Sequence, residues 1–374
     1  MSLVEKFASL EKNFRPLMLK LPKRSAAKLF SSGRKVFLER FYKDIPKEPA
    51  QIPESAKTQL WGLDFNCPIF NAAGVFKSGD GYEVAAAQGA GAFLIGTITH
   101  NKRSGNKKNC VLHPFLPYPN SLAASNWMGL PNDGIESTLE KIWTIKKQKQ
   151  CPIGVSISAS SDLSEKETID NLIVNFKLLE KTQVDFIELN ESCPNVEHKE
   201  KKFGDLLDES FLLRLEIISN SVLKKRKRQL PVILKFSTDT QPSQVEAIVN
   251  VCIDLGFDGI NFGNTSTDYS FCEKFIQEEE KPLFKYFTSN FGGGVSGIPI
   301  KEKSLNLCKA ANSVLKEKTL SKEFHIIRTG GIFTNEDITE SKKCGVALNQ
   351  WFTGYFHNFG FYGHKLYEKI LTLE

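Results

Sequence analysis

From residue 68 onward the chain repeats one pattern: a short apolar run closed by a small or polar residue, then a longer stretch whose apolar positions recur every three or four residues. The runs fall at 68–71, 92–97, 153–158, 186–190, 232–236, 259–262, 324–329 and 347–352. Stretches of helical spacing separate most of them, at 165–179, 211–222, 243–255 and 305–315. Eight such units predict the α/β class and a (β/α)8 barrel, whose active site gathers at the carboxyl ends of the strands. Two connections, 101–132 and 267–297, are too long for simple turns, and long loops on that face commonly cover ligands.

A different pattern precedes the barrel. Phe14 to Leu21, and then about Ser25 to Tyr42 with Leu29, Phe30, Val36, Phe37, Leu38 and Phe41, have spacings that suit short amphipathic helices. Pro46, Pro49 and Pro53 punctuate the link to the main body, which divides the chain into a helical extension over 1–50 and a barrel over 51–374.

Charge sharpens this division. The formal charge of +6 resides in the extension, where twelve Lys/Arg and five Asp/Glu give +7, so that the remainder carries −1. A basic amphipathic segment suits an anionic membrane surface; packing across the barrel bottom or between subunits is the plainer alternative. Nucleic acid is not an expected partner, because the basic residues surround no aromatic platform or reading motif. No apolar run approaches the length of a membrane span and no secretory leader stands at the front, so a cytoplasmic chain is expected, at most peripheral on the cytoplasmic face of the inner membrane. The eight cysteines are scattered without a CxxC pair and are read as reduced thiols, mostly buried.

The densest chemistry lies in Ile187-Glu-Leu-Asn-Glu-Ser-Cys-Pro-Asn-Val196, where a strand ends at Asn190 and turns through Cys193. Amides on either side of a thiol offer donors and acceptors to a planar heterocycle beside a group that can act as a base. Asparagines chosen for turn geometry are the competing explanation. A lysine closing an apolar strand, Lys235, is costly unless something anionic needs it.

Asn190-Glu-Ser-Cys-Pro-Asn195 resembles the catalytic loop of the dihydroorotate dehydrogenases, and the resemblance continues in order from about Arg15 to near the C-terminus. It implies FMN as cofactor, dihydroorotate and orotate as substrate and product, and a place in de novo synthesis of UMP. Cys193 is then the base that takes the C5 proton while the C6 hydride goes to the flavin. Asn71-Ala-Ala-Gly-Val-Phe-Lys77 is similar to the family's first-strand motif, which implies that Ala72, Ala73 and Gly74 approach the flavin and Lys77 meets the substrate. Asn126-Trp-Met-Gly-Leu-Pro-Asn132 resembles the substrate loop, with Asn126, Met128, Gly129 and Leu130 as contacts. Asn190, Asn195, Asn264 and Thr265 are implied to hold the pyrimidine as well. The same resemblance gives the flavin Gly96, Thr97, Asn126, Ser156, Asn190, Lys235 and Gly263, and gives its phosphate a cradle made from Ser296 and Gly297, Thr329, Gly330 and Gly331, and Phe352 and Thr353.

The family divides into soluble enzymes with a cysteine base and membrane-associated quinone enzymes with a serine there, and this chain mixes the two. The extension, Lys77 and Gly96-Thr-Ile-Thr99 look like the quinone class, whereas Cys193, Ser156 and Gly129-Leu-Pro-Asn132 look like the cysteine class. His113 aligns with an arginine near the quinone tunnel, and Phe352-Thr-Gly354 stands where that class has Tyr-Thr-Gly. The expectation is a quinone acceptor reached between the helices of the extension. A dissolved acceptor such as fumarate, an inactive flavin- or pyrimidine-binding relative, and a non-redox phosphate-binding barrel are the alternatives.

Overall fold

The structure is a computed structural model and describes residues 1–160, 163–191 and 209–372. All eight apolar runs are strands: β1 (Ile69–Asn71), β2 (Phe93–Ile98), β3 (Ile153–Ile157), β4 (Phe186–Asn190), β5 (Val232–Phe236), β6 (Gly259–Phe262), β7 (His325–Thr329) and β8 (Val346–Trp351). They pair in parallel in the order β1-β8-β7-β6-β5-β4-β3-β2. Between β1 and β2 the cylinder closes through the parallel bridge Phe76–Ile95 and through the Asn71 amide, which donates to Leu94 O at 2.7 Å and accepts from Leu94 N at 3.1 Å. This is a (β/α)8 barrel.

Strand alternation sorts the interior into layers. Phe70, Leu94, Phe186, Ile233, Ile327 and Leu348 form an apolar floor, closed below by Leu60, Trp61 and Phe65 from the hairpin Thr58–Leu60/Leu63–Phe65. One step further along the strands, the inward positions of β3 to β8 are polar: Ser156, Glu188, Lys235, Asn261, Thr329 and Gln350, all buried. The outward positions pack against the helices that follow the strands, including α3 (Tyr82–Ala87), α4 (Gly134–Thr144), α5 (Glu165–Glu180), α6 (Glu209–Ser221) and α7 (Val245–Asp254). α5 opens on a capping box between Ser164 and Glu167, in which each residue's side chain accepts from the other's backbone N–H.

The extension forms two long helices rather than several short ones. α1 (Leu3–Met18) starts at a Ser2/Glu5 capping box and runs through Pro16, which lies in its last turn and so ends the helix two residues later. α2 (Lys23–Phe41) follows. Neither crosses the barrel bottom: α1 and α2 pack on α12 (Thr353–Tyr362), which follows β8, and α2 also covers the sheet made by the two insertions. Phe41 stacks on Phe76 and meets Phe359 edge-on, with centroids 5.9 and 5.1 Å away. His364, 4% exposed, pins the start of the chain: its backbone N donates to Glu5 Oε1 at 3.0 Å and its Nε2 lies 2.8 Å from Asp44 Oδ2.

The two insertions join above the barrel. Ala123–Asn126 pairs antiparallel with Phe115–Tyr118 on one side and Gly294–Gly297 on the other. Between the latter strand and β6 lie two further helices, α8 (Tyr269–Cys272) and α9 (Lys281–Asn290). α10 (Lys301–Lys316) and α11 (Asn335–Lys343) flank β7, and α13 (Leu366–Thr372) closes the described chain. Glu280, 2% exposed, ties the insertions together by accepting from Asn120 N at 3.0 Å, from Ser121 N at 2.9 Å and from the Ser121 hydroxyl. Glu280→Ala is expected to lower the unfolding free energy by about 1.5–3 kcal/mol, the scale of charge-assisted hydrogen bonds, and urea denaturation would show it. An unchanged midpoint would contradict the tie.

Among the described residues, Cys110 is exposed and the other six cysteines are buried, all as free thiols. No described helix is long and apolar enough to cross a membrane.

Candidate active site

At the carboxyl end of the barrel the polar layer becomes a connected rim. Thr97 Oγ1 and Ser156 Oγ form a hydrogen bond of 3.0 Å, Asn190 Nδ2 donates to Thr97 Oγ1 at 3.1 Å, and Asn264 Nδ2 donates to Asn190 Oδ1 at 3.3 Å. Four residues from β2, β3, β4 and the loop after β6 are therefore joined side by side. Ser158 Oγ, just past the end of β3, ties into the row by donating to Asn190 O at 3.1 Å. Thr265 follows Asn264 and is buried, and its Oγ1 has no partner among the described residues.

Beneath the rim lies a buried charge pair that individual strands do not reveal. Lys235 Nζ donates to Glu188 Oε1 at 3.3 Å and to Gln350 Oε1 at 2.9 Å. The second carboxylate oxygen of Glu188 accepts from Asn261 Nδ2 at 2.9 Å and Gln350 Nε2 at 2.7 Å. Lys235 and Glu188 are 3% and 1% exposed, so the lysine is not a solvent-facing strand end. The anion that satisfies Lys235 within the chain is Glu188, a residue passed over in the sequence because its strand is otherwise apolar.

Glycines set the shape of the rim where backbone segments touch. At Gly96 (φ +119°) a Cβ would lie 2.5 Å from Ser156 O, and at Gly263 (φ +131°) it would lie 1.7 Å from Thr329 O. Neither strand end could hold its present line with a side chain. A Cβ on Gly74 (φ +103°) would lie 3.5 Å from the Phe352 ring, and Ala72 and Ala73 precede it on the same turn. Gly330 and Gly331 follow β7, and Phe352 and Thr353 lead into the N-terminus of α12, which carries no side-chain cap. Ser296 Oγ lies 2.8 Å from Thr353 Oγ1 and links Gly297's strand to that terminus. Such a helix start flanked by glycine backbone and hydroxyls is suited to a phosphate.

The first-strand turn and the insertion face each other across the rim. Lys77 keeps some accessible surface, but its ammonium is desolvated; burial first and the neighbouring Arg34 second hold it well below the usual lysine range. Asn126 Nδ2 donates to Gly294 O at 3.4 Å. Met128 is buried, Met128 O accepts from Asn106 N at 2.7 Å, and Leu130 (φ +53°) turns its carbonyl onto Asn132 Nδ2 at 2.8 Å. A Cβ on Gly129 would lie 2.2 Å from Asn106 Oδ1, so the loop requires glycine there. Cys193 and Asn195 lie outside the described residues. The last described residue before them, Glu191, accepts from Arg214 Nη2 of α6 at 2.6 Å.

An apolar cavity of about 210 Å³ opens between the extension and this rim. Phe7 and Met18 of α1, Phe30 and Phe37 of α2, Phe115 and Phe352 line it, with an ion pair of Glu11 and Arg15 in its wall. Sequence reading missed Arg34, which lines the same cavity and donates from Nη2 to Gly74 O at 3.1 Å, and Tyr42, which donates to Val75 O at 2.7 Å. Their contacts cross 40 and 33 residues of chain, and no local pattern marks them.

The dihydroorotate dehydrogenase family model matches residues 55–373. The chain is similar to the dihydroorotate dehydrogenase (quinone) of Wigglesworthia glossinidia brevipalpis, 29% identical over 83% of this chain and 84% of that protein. Its similarity to that of Cellvibrio japonicus is 26% identity over 82% of this chain and 83% of that protein. Among solved structures, the crystal structure of DHODH in complex with ferulenol from Eimeria tenella superposes with a TM-score of 0.74 at 19% identity, covering 91% of this chain and 89% of that one, which speaks for the fold. With the family match running from just ahead of the floor hairpin to the last helix, and thus through every strand that builds the polar rim, the chain belongs to the dihydroorotate dehydrogenase family.

Proposed function

We propose that the protein oxidises (S)-dihydroorotate to orotate for UMP synthesis with bound FMN, and that a quinone entering the apolar cavity collects the electrons. The observation that carries the acceptor is the cavity itself, which runs between α1 and α2 and reaches Phe352 and Thr353 at the start of α12. The residues fit FMN. The start of α12 carries no side-chain cap, the Ser296 and Thr353 hydroxyls meet there, and Lys235 brings a cation under the rim.

Bound FMN would supply the acceptor for the hydride that leaves C6 of the substrate. Cys193 accepts the C5 proton at its sulfur, so that proton and hydride leave to different groups. Lys77, Asn126, Asn190, Asn195, Asn264 and Thr265 hold the pyrimidine in register, with Met128, Gly129 and Leu130 above it; their contribution is orientation. Ala72, Ala73, Gly74, Gly96, Thr97, Ser156, Lys235 and Gly263 would hold the isoalloxazine. Ser296, Gly297, Thr329, Gly330, Gly331, Phe352 and Thr353 would hold the ribityl phosphate.

The extension supports a membrane surface as the source of quinone. Leu3, Phe7, Leu10, Phe14 and Leu17 make one exposed stripe along α1, continued by Leu21, and Lys20, Lys23, Arg24 and Lys28 are exposed beside it. Phe7 belongs both to the stripe and to the cavity wall, so the cavity opens next to the apolar face. The test is anaerobic titration of purified protein with dihydroorotate, followed by a short-chain quinone or fumarate. Bleaching of the flavin band and its return on quinone are expected. Return on fumarate alone would move the acceptor to solution, and absence of bleaching would overturn the reading.

A further inference from the structure

The inner end of the cavity holds a cation that the first half-reaction does not use. Arg34 stands between the rings of Phe115 and Phe352, with its guanidinium carbon 5.7 and 5.6 Å from their centroids. One nitrogen is spent on Gly74 O, at 3.1 Å. Nε is sealed from solvent and has no hydrogen-bond partner among the described residues. Burial lowers the guanidinium's pKa, opposed only by the nearby Tyr42 hydroxyl, yet arginine keeps its charge throughout the working range. A buried cation with an unused N–H costs stability, and flanking rings offset only part of that. Such a group, flanked by two aromatic rings at the inner end of a largely apolar cavity, is suited to an oxygen that arrives with a ligand.

His113, the residue that aligns with the quinone-class arginine, does not supply that cation. Its Nε2 lies 2.7 Å from Ser104 O, so this nitrogen carries the hydrogen and donates it to the backbone. Burial, joined by Lys77, Arg34 and Lys35, holds its ring below the usual histidine range despite the Ser104 contact, which keeps it neutral at pH 7. Its side chain is also absent from the cavity wall.

We propose that Arg34, carried by the extension rather than by the barrel, meets the carbonyl oxygen of the quinone through its guanidinium and positions the ring against the flavin edge. This rests on the quinone reading above. Reduction of a quinone to its hydroquinone takes two electrons, which come from the reduced flavin, and two protons, which come from solvent. Charge gathers on the carbonyl oxygens before the protons arrive, and Arg34 stabilises it while retaining its own protons. Its place on α2 makes the extension part of the oxidative site and not only its shelter.

The test compares full-length wild-type protein with Arg34→Met, Arg34→Lys and His113→Ala, each checked for flavin content and for the rate of bleaching by dihydroorotate. Reoxidation is then followed with decyl-ubiquinone at several concentrations. Arg34→Met is expected to lose roughly 10- to 100-fold in quinone kcat/KM beyond any change in its bleaching rate, the scale of one charged hydrogen bond. Arg34→Lys should recover part of that loss, and His113→Ala should stay within about twofold of wild type. Equal quinone kcat/KM in wild type and Arg34→Met would overturn the role of Arg34 while leaving the quinone reading intact. A loss confined to His113→Ala would overturn it too. Wild-type protein that bleaches but is not reoxidised by quinone removes the reading beneath the proposal, and the proposal with it.

Discussion

Cys193→Ala is expected to purify with its flavin and to bleach with dihydroorotate about 10²- to 10⁴-fold more slowly than wild type, the usual contribution of a general base. The pH dependence should carry two opposed limbs. The thiol must ionise before it can accept a proton, so kcat/KM rises with pH on the acid side. Lys77 supplies the falling side. Its ammonium is held well below the usual lysine range by burial and by Arg34, so in the free protein it is charged at pH values below that lowered pKa and neutral above it. Contact with the anionic substrate weakens as pH rises through that point. A wild-type profile flat on its acid side, or a Cys193→Ala protein of undiminished rate, would sink the assignment of the base.

The second large effect is expected inside the barrel. Lys235→Met leaves Glu188 at 1% exposure with its amide partners but without its cation. Removing one member of a buried pair costs about 3–5 kcal/mol, because the remaining charge cannot be resolvated. The unfolding midpoint in urea should fall accordingly, and Glu188→Gln in the same background should restore part of it by removing the orphaned charge. Flavin retention should fall with the cation. A Lys235→Met protein with wild-type midpoint would show that Glu188 does not depend on Lys235.

What could be read from the sequence was what is periodic. Each strand announces itself as a few apolar residues ending at a polar one, and all eight lie within two residues of where that pattern puts them. Of the rim residues, Asn190 was legible for the same reason, as the polar end of its strand, whereas Thr97, Ser156 and Asn264 were named only through the family resemblance. Contacts made across the barrel were not. Glu188 meets Lys235, Asn261 and Gln350 over separations of 47, 73 and 162 residues, and only closure of the cylinder brings them together. Arg34 escaped notice because a lone arginine on a basic amphipathic helix reads as solvated, and the cavity that desolvates it is a product of packing. His113 aligns with the quinone-class arginine, and its turn (φ +51°) directs the ring to Ser104 O.

Arg34 and Tyr42 both donate into the short stretch Gly74–Val75, two residues ahead of Lys77. A cavity ligand and a pyrimidine would therefore share a segment of main chain, and coupling between their occupancies is expected. Whatever factor a cavity ligand imposes on the orotate dissociation constant, orotate must impose on the ligand's. Orotate titrations with and without decyl-ubiquinone are expected to give different constants in the wild type and converging ones in Tyr42→Phe, which cuts one of the two tethers. Under this wiring, a compound wedged between the helices would register at the pyrimidine without touching it, and a chain shortened to its barrel would lose the communication along with the shelter.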